Sequence, residues 1–264
     1  MNKKSKIISL LGLLVVAIII GAYVLLSDKT LCKSIDVEIV DANDNLIINK
    51  EHIKKIVLHD YPNLIGSPIG DVNLSELEHK IETHPAVKNA EVYKKVNGIL
   101  AIQVEQKLPI ARVMPKNGKS FYLAYDGSLM PTSKIGSARV MVINGDVEFN
   151  YKNNKLTVKD TAVSKTIKEV YKIAKTISED EFLSAQTEQI FVKRNNEYEL
   201  IPTVGSHIVN LGDFSDYENK LKYLKYFYKN VLKNEGWRKY KYINLKYKNQ
   251  IVCTLSDKNK KINN

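Results

Sequence analysis

Few residues in the chain stand at spacings that would support catalysis. The segment 118–120 (GKS) resembles the end of a phosphate-binding loop. That motif needs another glycine five residues earlier, where this chain has Val113, and a following helix where a strand is predicted. The segment 66–70 (GSPIG) is not a nucleophile elbow, because Ser67 is not its central residue. Neither segment therefore predicts a catalytic site.

Metal-binding and disulfide patterns are equally weak. Two cysteines, Cys32 and Cys253, are too few for a disulfide framework or a cysteine-rich zinc module. His79 and His84 are five residues apart and do not share a helix face, and no HExxH-type spacing occurs. The five histidines are His52, His59, His79, His84 and His207. We predict no catalytic residue, no metal and no cofactor.

The N-terminus indicates a membrane anchor. Ile7 to Leu26 is an uncharged run of 20 residues, long enough to span about 30 Å of bilayer as a helix. Lys3, Lys4 and Lys6 precede it, so residues 1–6 are predicted to be cytoplasmic and the rest extracytoplasmic. A cleaved signal peptide is the alternative, but its apolar core is shorter and ends at a small-x-small site. We predict an uncleaved transmembrane helix over residues 7–27.

The positive charge of the chain does not indicate nucleic-acid binding. The net charge is +11, but only four of the 40 basic residues are arginine. Bidentate reading of bases favours arginine, and an extracytoplasmic domain does not meet chromosomal DNA. No nucleic-acid partner is predicted.

Residues 28–107 are predicted to form a first domain with the order β-α-α-β-β. A strand over 34–40 is followed by helices that begin after Asn49 and Asn73, and by strands over 90–96 and 99–106 joined by Asn97-Gly98. The predicted core sets Val92, Leu100, Ile102 and Val104 against Ile53, Ile56, Leu77 and Ile81. Three glutamates, Glu76, Glu78 and Glu82, are predicted to form a solvated helix face.

Residues 108–256 are predicted to form a second α/β domain with an antiparallel-rich sheet and two long helices, which makes the whole chain α+β. The helices are predicted over about 159–178 and 213–234, on apolar residues at helical spacing. Strands are predicted over 120–125, 128–130, 138–144, 188–193, 197–202, 206–211, 242–247 and 250–255. Residues 257–264 are predicted to be a disordered tail.

The chain resembles the FtsQ/DivIB family of bacterial cell-division proteins. The basic tail and single anchor are similar, and the β-α-α-β-β domain resembles a POTRA domain. The most specific segments are 84–92 (HPAVKNAEV), 100–111 (LAIQVEQKLPIA), 122–127 (YLAYDG) and 242–247 (YINLKY). The chain departs from the family in its very short cytoplasmic tail and at Asn244 and Lys246, where the family often has Asp and Arg.

The resemblance implies a non-catalytic scaffold of the inner membrane, enriched at the division septum. Such proteins bind the small membrane proteins FtsB (or DivIC) and FtsL and help to control the septal peptidoglycan synthase. An anchored envelope enzyme and another POTRA-bearing assembly factor remain alternatives.

The resemblance also places FtsB-type binding on the last hairpin. A terminal strand is a candidate sheet edge for β-augmentation, Tyr247 is a candidate aromatic anchor, and Lys246 is a candidate partner for an acidic group. The predicted partner-binding residues are Lys246, Tyr247, Gln250, Ile251, Val252, Cys253 and Thr254. The alternative is that Tyr247 belongs to the core and Lys246 is merely solvated.

Overall fold

The computed structural model of the chain describes residues 12–21, 30–40, 47–132, 137–152 and 155–256. Residues 12–21 are helical. Within these described ranges no helix combines the length and the apolar character that a membrane crossing requires. The predicted cytoplasmic tail, both ends of the predicted transmembrane helix and the predicted tail 257–264 lie outside the described residues.

The chain divides into two compact units, and the second contains Ile47 as well as the chain from Lys107 onward. The first unit has the predicted order β-α-α-β-β. Its elements are β1 (Ser34–Val40), α1 (Lys50–Asp60), a 3-10 turn (Ile69–Asp71), α2 (Leu74–Glu82), β2 (Val87–Lys94) and β3 (Ile99–Gln106). β3 is the central strand, parallel to β1 and antiparallel to β2.

Both helices of the first unit begin where the sequence predicts. The Asn49 side chain accepts a hydrogen bond from the amide of His52, and the Asn73 side chain accepts one from the amide of Glu76. These caps satisfy amides that the first helical turn leaves without a partner. α2 ends at Glu82, because the proline at position 85 disfavours helical backbone angles in the residue before it.

The core of the first unit differs from the prediction at two points. Ile53 and Val57 are the fully buried residues of α1, whereas Ile56 is only half-buried. The core-facing side of α1 therefore includes Val57 in place of the predicted Ile56. Glu78 and Glu82 are not simply solvated, because both are half-buried and accept hydrogen bonds from the amides of β2.

The loop of the hairpin between β2 and β3 is one residue longer than predicted. The amide of Gly98 bonds the Lys95 carbonyl, and the amide of Lys95 bonds the Ile99 carbonyl. The loop therefore has three residues rather than two, and Gly98 adopts the left-handed region with φ 84°. A side chain at Gly98 would also lie 2.4 Å from the Leu31 carbonyl oxygen.

The second unit is built on one ten-stranded sheet. Its strands are β4 (Pro109–Val113), β5 (Phe121–Ala124), β6 (Ser128–Pro131), β7 (Met141–Gly145), β8 (Leu156–Thr157), β9 (Thr187–Val192), β10 (Tyr198–Pro202), β11 (Ile208–Gly212), β12 (Tyr240–Asn244) and β13 (Val252–Leu255). Their order in the sheet is β13-β12-β11-β10-β9-β7-β4-β5-β6-β8. Most neighbouring pairs are antiparallel, and the parallel pairs are β11 with β12, β7 with β9, and β4 with β7.

The helices of the second unit are α3 (Lys165–Ser178), α4 (Glu181–Gln186), α5 (Tyr217–Phe227), a π-helical turn (Tyr228–Leu232) and α6 (Lys233–Glu235). α3 is capped by Ser164, and its apolar stripe packs into the same core as α5 and the sheet. The two long helices are confirmed, but each is shorter than predicted. α5 begins only at Tyr217, because Asp216 has the left-handed φ of 53°.

Candidate partner-binding edge

β13 is the outermost strand of the ten-stranded sheet, as far as the described residues go. It pairs on one side only, antiparallel to β12, with Ile243 opposite Cys253 and Asn244 opposite Val252. An outermost strand leaves one row of backbone donors and acceptors without a ladder partner, which makes it a template for an added strand. The free edge of β13 is therefore the candidate partner-binding site.

The direction of each amide in β13 follows from one hydrogen bond at its end. The amide of Ser256 donates to the Lys239 carbonyl at 2.9 Å, so Ser256 faces β12. Backbone groups alternate along an antiparallel strand, which places the amides of Val252 and Thr254 toward β12 as well. The amides of Cys253 and Leu255 then face away from β12.

The side chains of β13 alternate across the sheet. Val252 is 46% exposed and Thr254 is exposed, whereas Ile251 and Cys253 are partly buried against the hydrophobic core of the second unit. Both cysteines of the chain are free thiols, and burial raises the pKa of the Cys253 thiol. An added strand would thus meet backbone groups at the edge and exposed side chains on the open face.

The strands of the last hairpin are shorter than predicted. β12 ends at Asn244 and β13 begins at Val252, so Tyr247 and Gln250 lie in the connecting loop rather than in strands. The amide of Gln250 bonds the Tyr247 carbonyl, and Asn249 has a φ of 58°. This left-handed residue closes a tight turn that interrupts the strand pattern.

Tyr247 projects from this loop with 53% of its surface exposed. It is therefore not a core residue, which removes one alternative reading of the sequence. The neighbouring Asn249 side chain accepts a hydrogen bond from the hydroxyl of Tyr223, at 3.4 Å, which ties the loop to α5. The loop thus presents an exposed aromatic side chain next to the strand edge.

Lys246 is held by the chain itself. Its Nζ lies 2.5 Å from Oε1 of Glu197, a residue only 8% exposed, and this contact is the main cause of the lowered pKa of the Glu197 carboxyl. Gly212 lies beneath the aliphatic part of the Lys246 side chain. A Cβ atom at position 212 would lie only 3.1 Å from Cγ of Lys246. Lys246 therefore fixes the loop against β11 and is not a free charge at the rim.

The ion pair continues across the open face of the sheet. Lys193 lies 3.7 Å from Oε2 of Glu197 and 3.3 Å from Oε1 of Glu199. Glu199 also accepts from the Tyr242 hydroxyl, and the pKa of Tyr242 is raised to about 12 by burial and by this carboxylate. This network is not apparent from the sequence, where only the i,i+4 spacing of Lys193 and Glu197 is visible.

A further polar pair of the second unit is buried. His207 is 2% exposed, and its Nε2 lies 2.9 Å from the Tyr228 hydroxyl. Burial lowers the pKa of His207 and raises that of Tyr228, so the pair stays neutral near pH 7. No group of three or more potential metal ligands occurs in the part of the chain that the structure describes.

The fold and the edge together define a class of protein, in which a small POTRA-like unit precedes a larger sheet with an open terminal strand. The description "POTRA-like domain" matches residues 30–105, and "FtsQ/DivIB, C-terminal related" matches residues 108–254. No curated protein matches the chain.

The second of these matches covers more than half of the chain, and the chain therefore belongs to the FtsQ/DivIB family. This makes it a cell-division protein, of a family that in general comprises non-catalytic division scaffolds with protein partners. The resemblance seen in the sequence is confirmed.

Proposed function

We propose that the protein is a non-catalytic, single-pass scaffold of the division machinery that binds an FtsB/DivIC-like and an FtsL-like membrane protein. Through them it is linked to the septal peptidoglycan synthase. An extended segment of the FtsB-type partner adds to the edge of β13 and continues the ten-stranded sheet. The open row of amides at Cys253 and Leu255 is the observation that carries this proposal.

The chemistry of the edge suits strand addition. Main-chain hydrogen bonds supply affinity, and side chains beside the edge supply specificity. Val252 and Thr254 offer contacts on the open face, and Tyr247 offers an aromatic anchor. Lys246 keeps the loop in place through Glu197, which we interpret as a positioning role rather than a contact with the partner.

The membrane location is part of the same proposal. The chain has an uncharged run from Ile7 to Leu26 after three lysines. Over the described helical residues of this run, 12–21, the large apolar side chains are at least half exposed. Such a surface is stable when it lies in hydrocarbon. This reading puts the N-terminus in the cytoplasm and both units outside it. The expected enrichment at the septum rests on the family match instead.

A proline at position 253 tests the edge directly. The Cys253 amide faces away from β12, so Cys253→Pro places a ring where the partner strand would lie and leaves the hairpin ladder intact. Cys253→Ala is the matched control, since it removes the thiol but keeps the amide. The expected result is loss of FtsB–FtsL capture in pull-down with the proline variant alone.

Val252→Pro serves as an internal reference, because its amide faces β12 and its loss weakens the hairpin itself. A Cys253→Pro chain with a native circular dichroism spectrum that captures the pair at the wild-type level would rule out the β13 site.

Location is tested separately: a fluorescent fusion is expected at midcell, and a C-terminal alkaline phosphatase fusion is expected to be active. Uniform envelope fluorescence would contradict the division role, and an inactive phosphatase would contradict the topology.

A further inference from the structure

The outer edge of β2 in the first unit is covered by two carboxylates. The amide of Val92 donates to Oε1 of Glu78 at 2.8 Å, and the amide of Ala90 donates to Oε1 of Glu82 at 3.2 Å. Both glutamates belong to α2, and both are half-buried. These bonds are independent of the division role proposed above.

The two amides are those that a strand added to β2 would need. The Lys95 amide bonds the Ile99 carbonyl of the neighbouring strand, so alternation turns the amides of Glu91 and Tyr93 toward β3. The amides of Ala90 and Val92 consequently face away from the sheet. β2 is the last strand on this side of a three-stranded sheet in the order β1-β3-β2, so these amides would otherwise form an open edge.

The spacing of the two elements explains how one helix serves both amides. Four residues of an α-helix advance about 6 Å, and two residues of a strand advance about 6.7 Å. Glu78 and Glu82 are four apart, whereas Ala90 and Val92 are two apart and follow in the reverse direction. α2 running antiparallel to β2 therefore brings each carboxylate to one outward amide.

We propose that Glu78 and Glu82 act as a cover that keeps the β2 edge from accepting another strand, in particular the same edge of a second copy of this chain. Each carboxylate oxygen occupies the place that a carbonyl of an incoming strand would take, so such a strand must displace two hydrogen bonds. Removal of the carboxylates exposes the edge and creates a self-association site. With β2 covered, the uncapped edge of β13 is the contrasting strand-accepting surface.

The test compares Glu78→Ala/Glu82→Ala with Glu78→Gln/Glu82→Gln in the full chain in mild detergent. Glutamine retains a carbonyl oxygen that can accept from the amide, and alanine does not. In the alanine variant, hydrogen exchange at the Ala90 and Val92 amides is expected to rise about tenfold or more, because a hydrogen bond to a charged acceptor is lost. Sedimentation is expected to show concentration-dependent dimers of the alanine variant and monomer-like behaviour of the glutamine variant.

Each other outcome overturns the proposal. Unchanged exchange at both amides would mean that the carboxylates do not protect them. Faster exchange without dimers would mean that the edge is closed by something else, and dimers of both variants would mean that charge rather than hydrogen bonding is decisive. If the double alanine variant does not fold, Glu78→Ala and Glu82→Ala are compared singly, each with faster exchange expected at its own amide.

Discussion

Lys246 and Glu197 are 49 positions apart in the sequence, and their side chains meet at 2.5 Å beside the terminal hairpin. Glu197 is 8% exposed, and the second oxygen of its carboxylate lies 3.7 Å from Lys193. A buried carboxylate that loses a partner of this kind is left poorly compensated. The pair thus couples the position of the last loop to the protonation state of one buried group.

Removal of the ammonium in Lys246→Met is expected to raise the pKa of Glu197, because the hydrogen bond from Lys246 is the main cause of its lowered value. A lowered carboxyl pKa stabilises the fold above its unfolded value of about 4.3, and that stabilisation disappears as the pH falls through the folded pKa. The variant is therefore expected to be less stable than wild type at pH 7, with the difference shrinking at lower pH.

NMR titration of Glu197 and denaturant unfolding at two pH values measure the two effects. Lys248→Met, which removes the same charge from the same loop, is the matched control and is expected to leave Glu197 unchanged. A Glu197 pKa that does not move in Lys246→Met would contradict the assignment of the pair.

Ile102 is expected to be a main contributor to the stability of the first unit. It lies in the central strand β3 between Val37 of β1 and Val92 of β2, and it is 1% exposed. Ile102→Ala is expected to lower the free energy of unfolding by about 2–5 kcal/mol, through lost burial and the cavity that remains. Gln103→Ala, at the adjacent half-exposed position, is the control; a loss below about 0.5 kcal/mol for Ile102→Ala would contradict this role.

Local signals in the sequence predicted much of the fold correctly. Asn49 and Asn73 cap helices as expected, because capping depends on contacts within three residues. The Asp126-Gly127 turn likewise joins β5 to β6 as predicted. The residues of β4 give no clear strand signal in the sequence, since a proline opens the strand and an arginine breaks its apolar pattern.

Other features depended on contacts that are distant in the sequence. The pairing of Lys246 with Glu197 requires knowledge of which strands are neighbours. The positions of Glu78 and Glu82 beside β2 depend on how α2 packs, and their spacing alone resembles an ordinary solvated face. The edge location of β13 was predicted, but the direction of its amides needed the Ser256 to Lys239 bond.

His84 is expected to make the first unit less stable in mild acid. Burial, with the nearby His52, lowers its pKa to about 4, and its Nδ1 accepts from the amide of Ala86. Between about pH 6.5, the unfolded value, and about pH 4, the unfolded chain binds more protons at this residue. The free energy of unfolding therefore falls on acidification through this window, by at most about 1.4 kcal/mol per pH unit from this group.

His84→Asn isolates this effect, because the asparagine side chain does not titrate and still offers an acceptor. Denaturant unfolding from pH 7 to pH 4 is expected to show a weaker pH dependence in the variant than in wild type. Equal slopes for the two proteins would contradict a buried neutral His84.

Tyr247 is expected to anchor the FtsB-type partner beside β13. It is 53% exposed in the loop that leads to the edge strand, and tyrosine is one of the residue types enriched among interface hot spots. Tyr247→Ser is expected to weaken capture of the FtsB–FtsL pair about tenfold or more without a change in stability, because loss of a hot spot costs more than about 1.4 kcal/mol. Tyr226→Ser is the matched control, since Tyr226 is 67% exposed on α5 rather than in the loop. Weaker binding in both variants would indicate a general effect of surface tyrosines. Wild-type affinity in Tyr247→Ser would contradict the role of Tyr247 as an anchor for the partner.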